Sequence, residues 1–270
     1  MKLCAIFCVW DDWGILRWSV NNISRHCEKI IIVWSHKSNF GEASDRPDLD
    51  YNEENKITFI NFEPDLKNSP RDNETLKRNI GLNWAKKTDC THFLMMDADE
   101  FYTNEDILKA KEEIGNNEGL VCRSKVYFKK PTLTIGFDTT LVTFIHKLTP
   151  EIQFGMNHNY PFAWSLLDGI PFTHTKKIRI DPTRQILNIN PHNIKWSEAI
   201  MHHYSWVRRD VKKKIRNSTA RPNIERSTIL QDYMQADEGY FCQFYGKTLE
   251  ACSNIFNLPE TIDLNVKETY

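Results

Sequence analysis

The chain has 270 residues, 40% of them hydrophobic and 26% charged, and 35 Lys and Arg against 36 Asp and Glu leave a formal net charge of -1. This is a globular composition, long enough to bury a substantial core. The near-balanced charge excludes a global electrostatic pull toward nucleic acid or membrane, so any partner must be met through local patches.

No apolar run reaches the length of a membrane-spanning helix. The apolar N-terminus runs into Trp10-Asp11-Asp12-Trp13 without a small-residue cleavage site, which predicts a first core strand and a cytoplasmic protein. The cysteines number seven, with no CxxC pair or zinc-ligand spacing, and are expected to be reduced and mostly buried.

In chain order, Leu3 to Val9 is a nearly continuous apolar run, the pattern of a strand covered on both faces. A helix is predicted over Gly14 to His26, then a second apolar strand from Lys29 to Trp34, which together make a right-handed βαβ unit. The loops after Val9 and Trp34 therefore fall at the carboxyl edge of the sheet, where such sheets bind ligands. Neither loop carries GxGxxG or GxxxxGK[ST], which argues against dinucleotide-binding and P-loop folds. Ser35 to Asn55 reads as a long polar loop, Ile57 to Ile60 as a short strand, and Glu63 to Arg71 as loop. Asn73 to Lys87 is predicted helical, with Leu76, Ile80 and Trp84 on the buried face and Lys77 and Arg78 off it.

The strand Phe93 to Met96 then ends in Asp97-Ala98-Asp99-Glu100, three carboxylates within four residues. So many charges cannot be buried without partners, so they must face solvent, a cation or a ligand. If the backbone stays extended, Asp97 and Asp99 point one way and Glu100 the other, and two hard oxygen ligands converge as they would for a divalent cation carrying phosphates. The plain alternative is a solvated cluster ahead of the helix predicted over Glu105 to Ile114.

Strands follow at Leu120 to Phe128 and Thr140 to Lys147, then an irregular aromatic stretch from Pro150 to Phe172, a short strand at Lys176 to Ile180, and a turn at Asp181-Pro-Thr-Arg184. Ala199 to Arg208 contains adjacent His202 and His203 at a strand's end, a setting suited to a metal or phosphate ligand. The helix predicted over Val207 to Arg216 buries Val207, Val211 and Ile215 and exposes Arg208, Arg209, Lys212, Lys213 and Lys214. Such a basic face is solvated by default, and it is also suited to an anionic substrate. Gln231 to Tyr270 is read as a terminal helix and extended arm.

Four stretches taken in order, Thr75 to Gly81, His92 to Tyr102, Ile180 to Arg184 and Met201 to Arg208, resemble a family 2-like glycosyltransferase of GT-A fold. The resemblance implies a single Rossmann-like α/β domain over residues 1–270, with a mostly parallel central sheet flanked by helices. Residues 1–104 would bind the nucleotide sugar, 105–230 would form an irregular acceptor side, and 231–270 a C-terminal helix and arm. It further implies transfer of a hexosyl or pentosyl group from a nucleoside-diphosphate sugar, first among them a UDP-sugar, with Mn²⁺ or Mg²⁺ at the DxD carboxylates. Asp97 would lie near ribose and metal, Asp99 would be the main metal ligand, and His203 or its neighbour His202 the distal one.

By the same resemblance, the loops bearing Val9, Trp10, Asp12, Trp34 and His36 would hold base and ribose. Lys77, Arg78 and Asn79 would lie along the nucleotide, and Ala98, Glu100, Arg184 and Arg208 would complete the substrate contacts. Trp34-Ser-His-Lys37 departs from the family by lacking the aspartate usual after the second strand. A single inverting displacement would need a carboxylate base, with Asp181 the first candidate and Asp138 and Asp168 behind it. The acceptor is expected to be a glycan, or less favourably a nucleic acid such as DNA met by the basic helix. Two competing readings are a DxD phosphatase, disfavoured by Phe101 at the fourth position after Asp97 and by the motif's late strand, and a nucleotide-sugar-binding protein without transferase activity.

Overall fold

A computed structural model describes residues 1–44, 56–155, 179–190, 193–208, 210–218 and 226–260. Its first half consists of β1 (Leu3–Val9), α1 (Trp13–Ser24), β2 (Lys29–Trp34), β3 (Ile57–Asn61), α2 (Pro70–Ala85) and β4 (His92–Asp97). β1 pairs in parallel with both β2 and β4, and β2 with β3. Along β1, Leu3, Ala5, Phe7 and Val9 face the layer that includes α1, whereas Cys4 and Ile6 face the layer that includes α2. That two-residue alternation is why the strand is apolar throughout.

The second half adds β5 (Glu100–Phe101), α3 (Asn104–Glu113), β6 (Gly119–Phe128), β7 (Lys130–Lys147), β8 (Gln153–Phe154), β9 (Arg179–Ile180), a 3-10 turn at Pro182–Arg184, β10 (Ile186–Leu187) and β11 (Ile194–Trp206). It closes with α4 (Val211–Asn217), α5 (Arg226–Gln235), β12 (Phe241–Cys242), β13 (Lys247–Thr248) and β14 (Glu250–Ala251). One sheet runs through both halves in the order β3-β2-β1-β4-β7-β6-β11-β5. β7 is antiparallel to β4 and β6, β11 is parallel to β6, and β5 is antiparallel to β11. The α/β class with a parallel, Rossmann-like half flanked by helices is what forms. Among the described residues no helix is long and apolar enough to cross a membrane, and all seven cysteines are free thiols.

Several boundaries differ from the sequence-based expectation. α2 starts at Pro70, inside the stretch read as loop, because proline suits the first helical position and Ser69 caps it by accepting from the Asp72 amide at 3.2 Å. Its buried face also differs: Leu76 and Trp84 are over 40% exposed, while Asn73, Lys77, Arg78, Gly81, Leu82 and Ala85 face inward. β7 spans eighteen residues rather than the last eight, bending at Gly136, whose φ of 74° is open to glycine and whose neighbours shift register against β6.

α4 begins at Val211, not Val207, because the strand runs on to Trp206 and Asp210 supplies the cap. The described part of the tail forms α5 and three short strands, and residues 261–270, the end of the expected arm, lie outside the described residues. Residues 45–55 and 156–178, which include most of the expected polar loop and of the aromatic stretch, lie outside the described residues.

Gly81 allows α2 to press on the sheet: a Cβ there would meet Ile6 Cγ2 at 2.4 Å and Val33 Cγ2 at 3.0 Å. Gly81→Ala should lower stability by about 1–3 kcal/mol in urea unfolding despite the better helix propensity of alanine. An unchanged or raised midpoint would contradict this packing.

Candidate active site

The carboxyl ends of β1, β2 and β4 open into a cleft of about 920 Å³ lined by Trp10, Asp11, Asp12, Ser35, Asp97, Asp99, Glu100, His203 and Arg208, among others. Its floor is the turn after β4. The backbone leaves the extended conformation at Ala98-Asp99 before β5, so strand alternation does not decide which way the carboxylates point.

Asp97 and Glu100, expected on opposite sides, share Arg184: its Nη2 donates to Asp97 Oδ2 at 2.9 Å and also to Glu100 Oε1. Glu100 Oε2 accepts the Asp97 amide at 3.0 Å. Arg78 closes the other side of Asp97, Nη1 to Oδ1 at 3.2 Å, and is itself held by Glu74 at 2.8 Å. Asp99 turns to a separate set: Arg208 Nη2 at 2.9 Å, Lys214 Nζ at 3.3 Å and His203 Nε2 at 3.5 Å.

Strand pairing explains how distant residues arrive. β5 lies antiparallel to β11 with Glu100 opposite His203 and Phe101 opposite His202, and the Tyr204 amide donates to the Asp99 carbonyl at 2.8 Å. Successive side chains on β11 face opposite ways. His203 therefore faces the cleft, whereas His202 is buried on the far side, its Nδ1 2.8 Å from the Tyr127 hydroxyl and its ring edge-on to Phe256. His202 is thus removed from the expected metal set.

The charges follow from this burial. Burial pushes Asp97 up, but Arg78 and Arg184 overcome it and hold it below the usual carboxylate range. For Asp99 the same burial is overcome by Lys214, His203 and Arg208. Glu100 goes the other way: burial, reinforced by Asp97, pushes it up to about 7 against the pull of Arg184. His203 is raised, because the pull of Asp99 exceeds the cost of burial.

The remaining expected residues have varied positions. The Val9 carbonyl accepts from Lys77 Nζ, which also bonds Ser35 Oγ at 3.0 Å, so Lys77 joins the two loops from below. Trp10 lines the cleft with the Lys213 ammonium 5.1 Å from its ring. Asp12 takes Arg208 Nη1 at 2.6 Å. Asn79 does not reach the cleft: its amide makes two 2.8 Å bonds to the Phe154 backbone at the sheet's flank. The Ala98 side chain is core. Trp34 and His36 stack edge-on 4.5 Å apart and are not among the lining residues. Arg78 and Arg184 sit fully buried behind Asp97.

Asp181 caps the 3-10 turn, its Oδ1 accepting both the Thr183 amide and hydroxyl at 2.8 Å, with Arg184 Nε 3.6 Å from Oδ2. Asp138 lines the cleft with Oδ1 turned to the Thr139 and Thr140 amides. Asp168 lies outside the described residues.

Sequence reasoning passed over Asp11, Glu74 and the cleft wall of Trp206, Phe244 and Tyr245. It also placed Lys213 and Lys214 on an exposed face, solvated by default or open to an anionic substrate. They turn inward, to Asp11 at 2.7 Å and Asp99 at 3.3 Å, and Arg216 pairs with Glu42 at 3.0 Å. The adjacent Asp11 and Asp12 were the available signal, since two carboxylates at a strand's end require cations from elsewhere.

Among the described residues no three His, Cys, Asp or Glu side chains converge as a metal cage, so the four expected ligands do not form one. Asp99 Oδ1 and His203 Nε2 do form a two-donor pair facing the cleft. An oxygen and an imidazole nitrogen are ligand types that a divalent cation could take there.

No protein-family model matches the chain, and no curated protein matches it. Among solved structures, residues 1–349 of S. aureus TarS align at 14% identity with a TM-score of 0.42, covering 87% of this chain and 71% of that one. The S. aureus TarS structure without that truncation aligns at 14% identity and a TM-score of 0.41, and less than half of it, 43%, is covered, against 87% of this chain. The 1–349 fragment in complex with UDP-GlcNAc gives 15% identity and a TM-score of 0.29 over 48% of this chain and 35% of that one. A likeness this distant carries no information on substrate.

Two outcomes are expected of the site's charges. Arg184→Met strands Glu100 and Asp97 in the floor and should cost about 3–5 kcal/mol by urea unfolding, whereas a loss under 1 kcal/mol would contradict the pairing. Burial pulls Lys77 down from its ordinary 10.5 to about 8. A depressed lysine weighs against the folded state at neutral pH and ceases to do so as pH rises from about 8 to 10.5. The stability of wild type relative to Lys77→Met should thus rise by up to about 3 kcal/mol over that window, and parallel curves would contradict it.

Proposed function

We propose that the protein is a glycosyltransferase that moves a sugar from a nucleoside-diphosphate sugar, a UDP-sugar in the first instance, to an acceptor hydroxyl. The observation that carries this reading is the pairing of Asp99 with His203 at the mouth of parallel strands, in a cleft of about 920 Å³ with Arg208 and Lys214 in its lining. In this reading the loops from Trp10 to Asp12 and from Ser35 to Asn39 hold the nucleoside. The diphosphate lies toward Asp99, His203 and Lys214. When bound there, Mn²⁺ or Mg²⁺ supplies positive charge for the diphosphate as its bond to the anomeric carbon breaks. Arg78 and Arg184 keep Asp97 ionised and fixed in orientation.

The acceptor hydroxyl needs a base, and the cleft's carboxylates narrow the choice. Asp11, Asp12, Glu74, Asp97, Asp99, Glu100 and Asp181 each have a Lys or Arg nitrogen within 4 Å. Asp138 and Asp210 have none among the described residues, and Asp210 caps α4. Asp138 therefore replaces Asp181 as the preferred base. It takes the hydroxyl proton while that oxygen attacks the anomeric carbon on the face opposite the departing diphosphate, which gives inversion.

The phosphatase alternative needs a free aspartate oxygen as nucleophile, and both Asp97 oxygens already face guanidinium groups. A carbohydrate acceptor suits the aromatic wall of Trp206, Phe244 and Tyr245 better than DNA suits a helix whose lysines turn inward.

The test is release of nucleoside diphosphate from a panel of nucleotide sugars, with Mn²⁺ and with or without glycan acceptors. Turnover is expected for one nucleotide class, and Asp138→Asn should lower kcat by about 10²–10⁴-fold with donor affinity kept. Absence of turnover for every donor would contradict the reading, and full activity of Asp138→Asn would return the base to Asp181.

A further inference from the structure

The ion pairs around the cleft are not equivalent. Arg78, Arg184 and Arg208 have side chains no more than 5% exposed and hold Asp97, Glu100, Asp99 and Asp12 from within the protein. Arg208 is fixed further by donating from Nε to the Ser205 carbonyl at 2.6 Å. Each of these guanidiniums holds at least two carboxylates, so moving one breaks two ion pairs at once. Lys213 and Lys214 differ: their side chains are 20% and 25% exposed, each makes a single ion pair among the described residues, and both stand on one short helix.

α4 rests on the C-terminal layer through Val211 and Ile215 and reaches back to the nucleotide-side loops by Lys213 to Asp11, Lys214 to Asp99, and Arg216 and Asn217 to Glu42. Lys214 thus lines the cleft, and Lys213 stands beside it on Asp11, which lines it too.

Resting on the proposed donor site, we infer that Lys213 and Lys214 are the receptors for the donor's diphosphate, held in reserve on Asp11 and Asp99 until phosphate oxygens replace those carboxylates. The chemistry favours such an exchange. A cleft lined by so many carboxylates repels a polyanion unless cations turn toward it, and among the described residues these two lysines break one ion pair each when they turn, Asp99 keeping Arg208 and His203. An ammonium on a flexible stem is suited to changing partner, where a guanidinium fork is suited to holding one. Asp11 keeps a bond from the Ser44 hydroxyl at 2.6 Å when Lys213 leaves, so the exchange does not strand it.

The test uses inorganic pyrophosphate, which needs no knowledge of the base, titrated by calorimetry into the full chain with Mn²⁺ present. Lys213→Met/Lys214→Met should weaken pyrophosphate binding by about tenfold or more. Lys213→Arg/Lys214→Arg should restore most of it, and Lys212→Met, exposed on the same helix, should leave it unchanged. Asp11→Asn distinguishes exchange from a merely structural strap: removing the resting partner should tighten pyrophosphate binding, whereas a structural role predicts weaker or equal binding. Unchanged affinity in the double methionine variant with an unchanged melting temperature would overturn the inference, as would weaker binding in Asp11→Asn. If the wild type turns over a nucleotide sugar while these variants bind pyrophosphate normally, only the inference fails. If pyrophosphate binds as described and no donor is turned over, only the proposed activity fails.

Discussion

The structure depends on compensating three carboxylates at the end of one apolar strand. Asp99 and Glu100 are 2% exposed and Asp97 is half-buried, and their charges are tolerable only because cations from α2, from the 3-10 turn before β10 and from the segment after β11 meet them there. That requirement fixes much of the chain's path. α2 must present Arg78 to the sheet and leave Leu76 and Trp84 outside. Arg184 must thread beneath β4, where it also reaches the Met95 carbonyl at 3.3 Å. β11 must lie beside β5 so that His203 and Arg208 arrive at Asp99.

The compensation is graded from floor to rim. Deep in the floor, guanidiniums fix the carboxylates by two or more contacts, which gives a rigid charge array. At the rim, lysines on α4 hold the same acidic edge by single, partly solvated contacts. Rigid charges orient a ligand, and exchangeable ones admit it. Asp138 stands apart from both sets, on the wall with Tyr245, whose hydroxyl accepts from the Trp206 indole at 2.7 Å and whose ionisation is suppressed by burial and by Asp138. Among the described residues Asp138 has no Lys or Arg partner, the feature on which its proposed role as proton acceptor rests.

The parallel strands were legible because burial on both faces leaves unbroken apolar runs. The acidic terminus of β4 was legible because three carboxylates crowded behind such a run must meet water or cations where the strand ends. The choice between His202 and His203 was not, since it turns on the face each presents in a strand whose pairing is set by long-range contacts. The buried face of α2 misled for a related reason: Leu76, Ile80 and Trp84 make a helical stripe, yet Gly81 allows the closer approach, Asp97 draws Arg78 inside, and the Val9 carbonyl and Ser35 hydroxyl take Lys77. Alternation also failed across Asp97 to Glu100, because the chain turns at Ala98-Asp99. The inward lysines of α4 carry no local signal, as their partners Asp11 and Asp99 are distant in sequence.

In the proposed reaction a nucleotide sugar and its cation meet at Asp99 and His203. Crystals grown with Mn²⁺ and the donor that the protein turns over, measured at the manganese absorption edge, address it directly. The account predicts an anomalous peak within bonding distance of Asp99 Oδ1 and His203 Nε2, shared with the diphosphate, with His202 still on Tyr127. A peak elsewhere, or a donor bound in this cleft with its diphosphate away from Asp99, would contradict it.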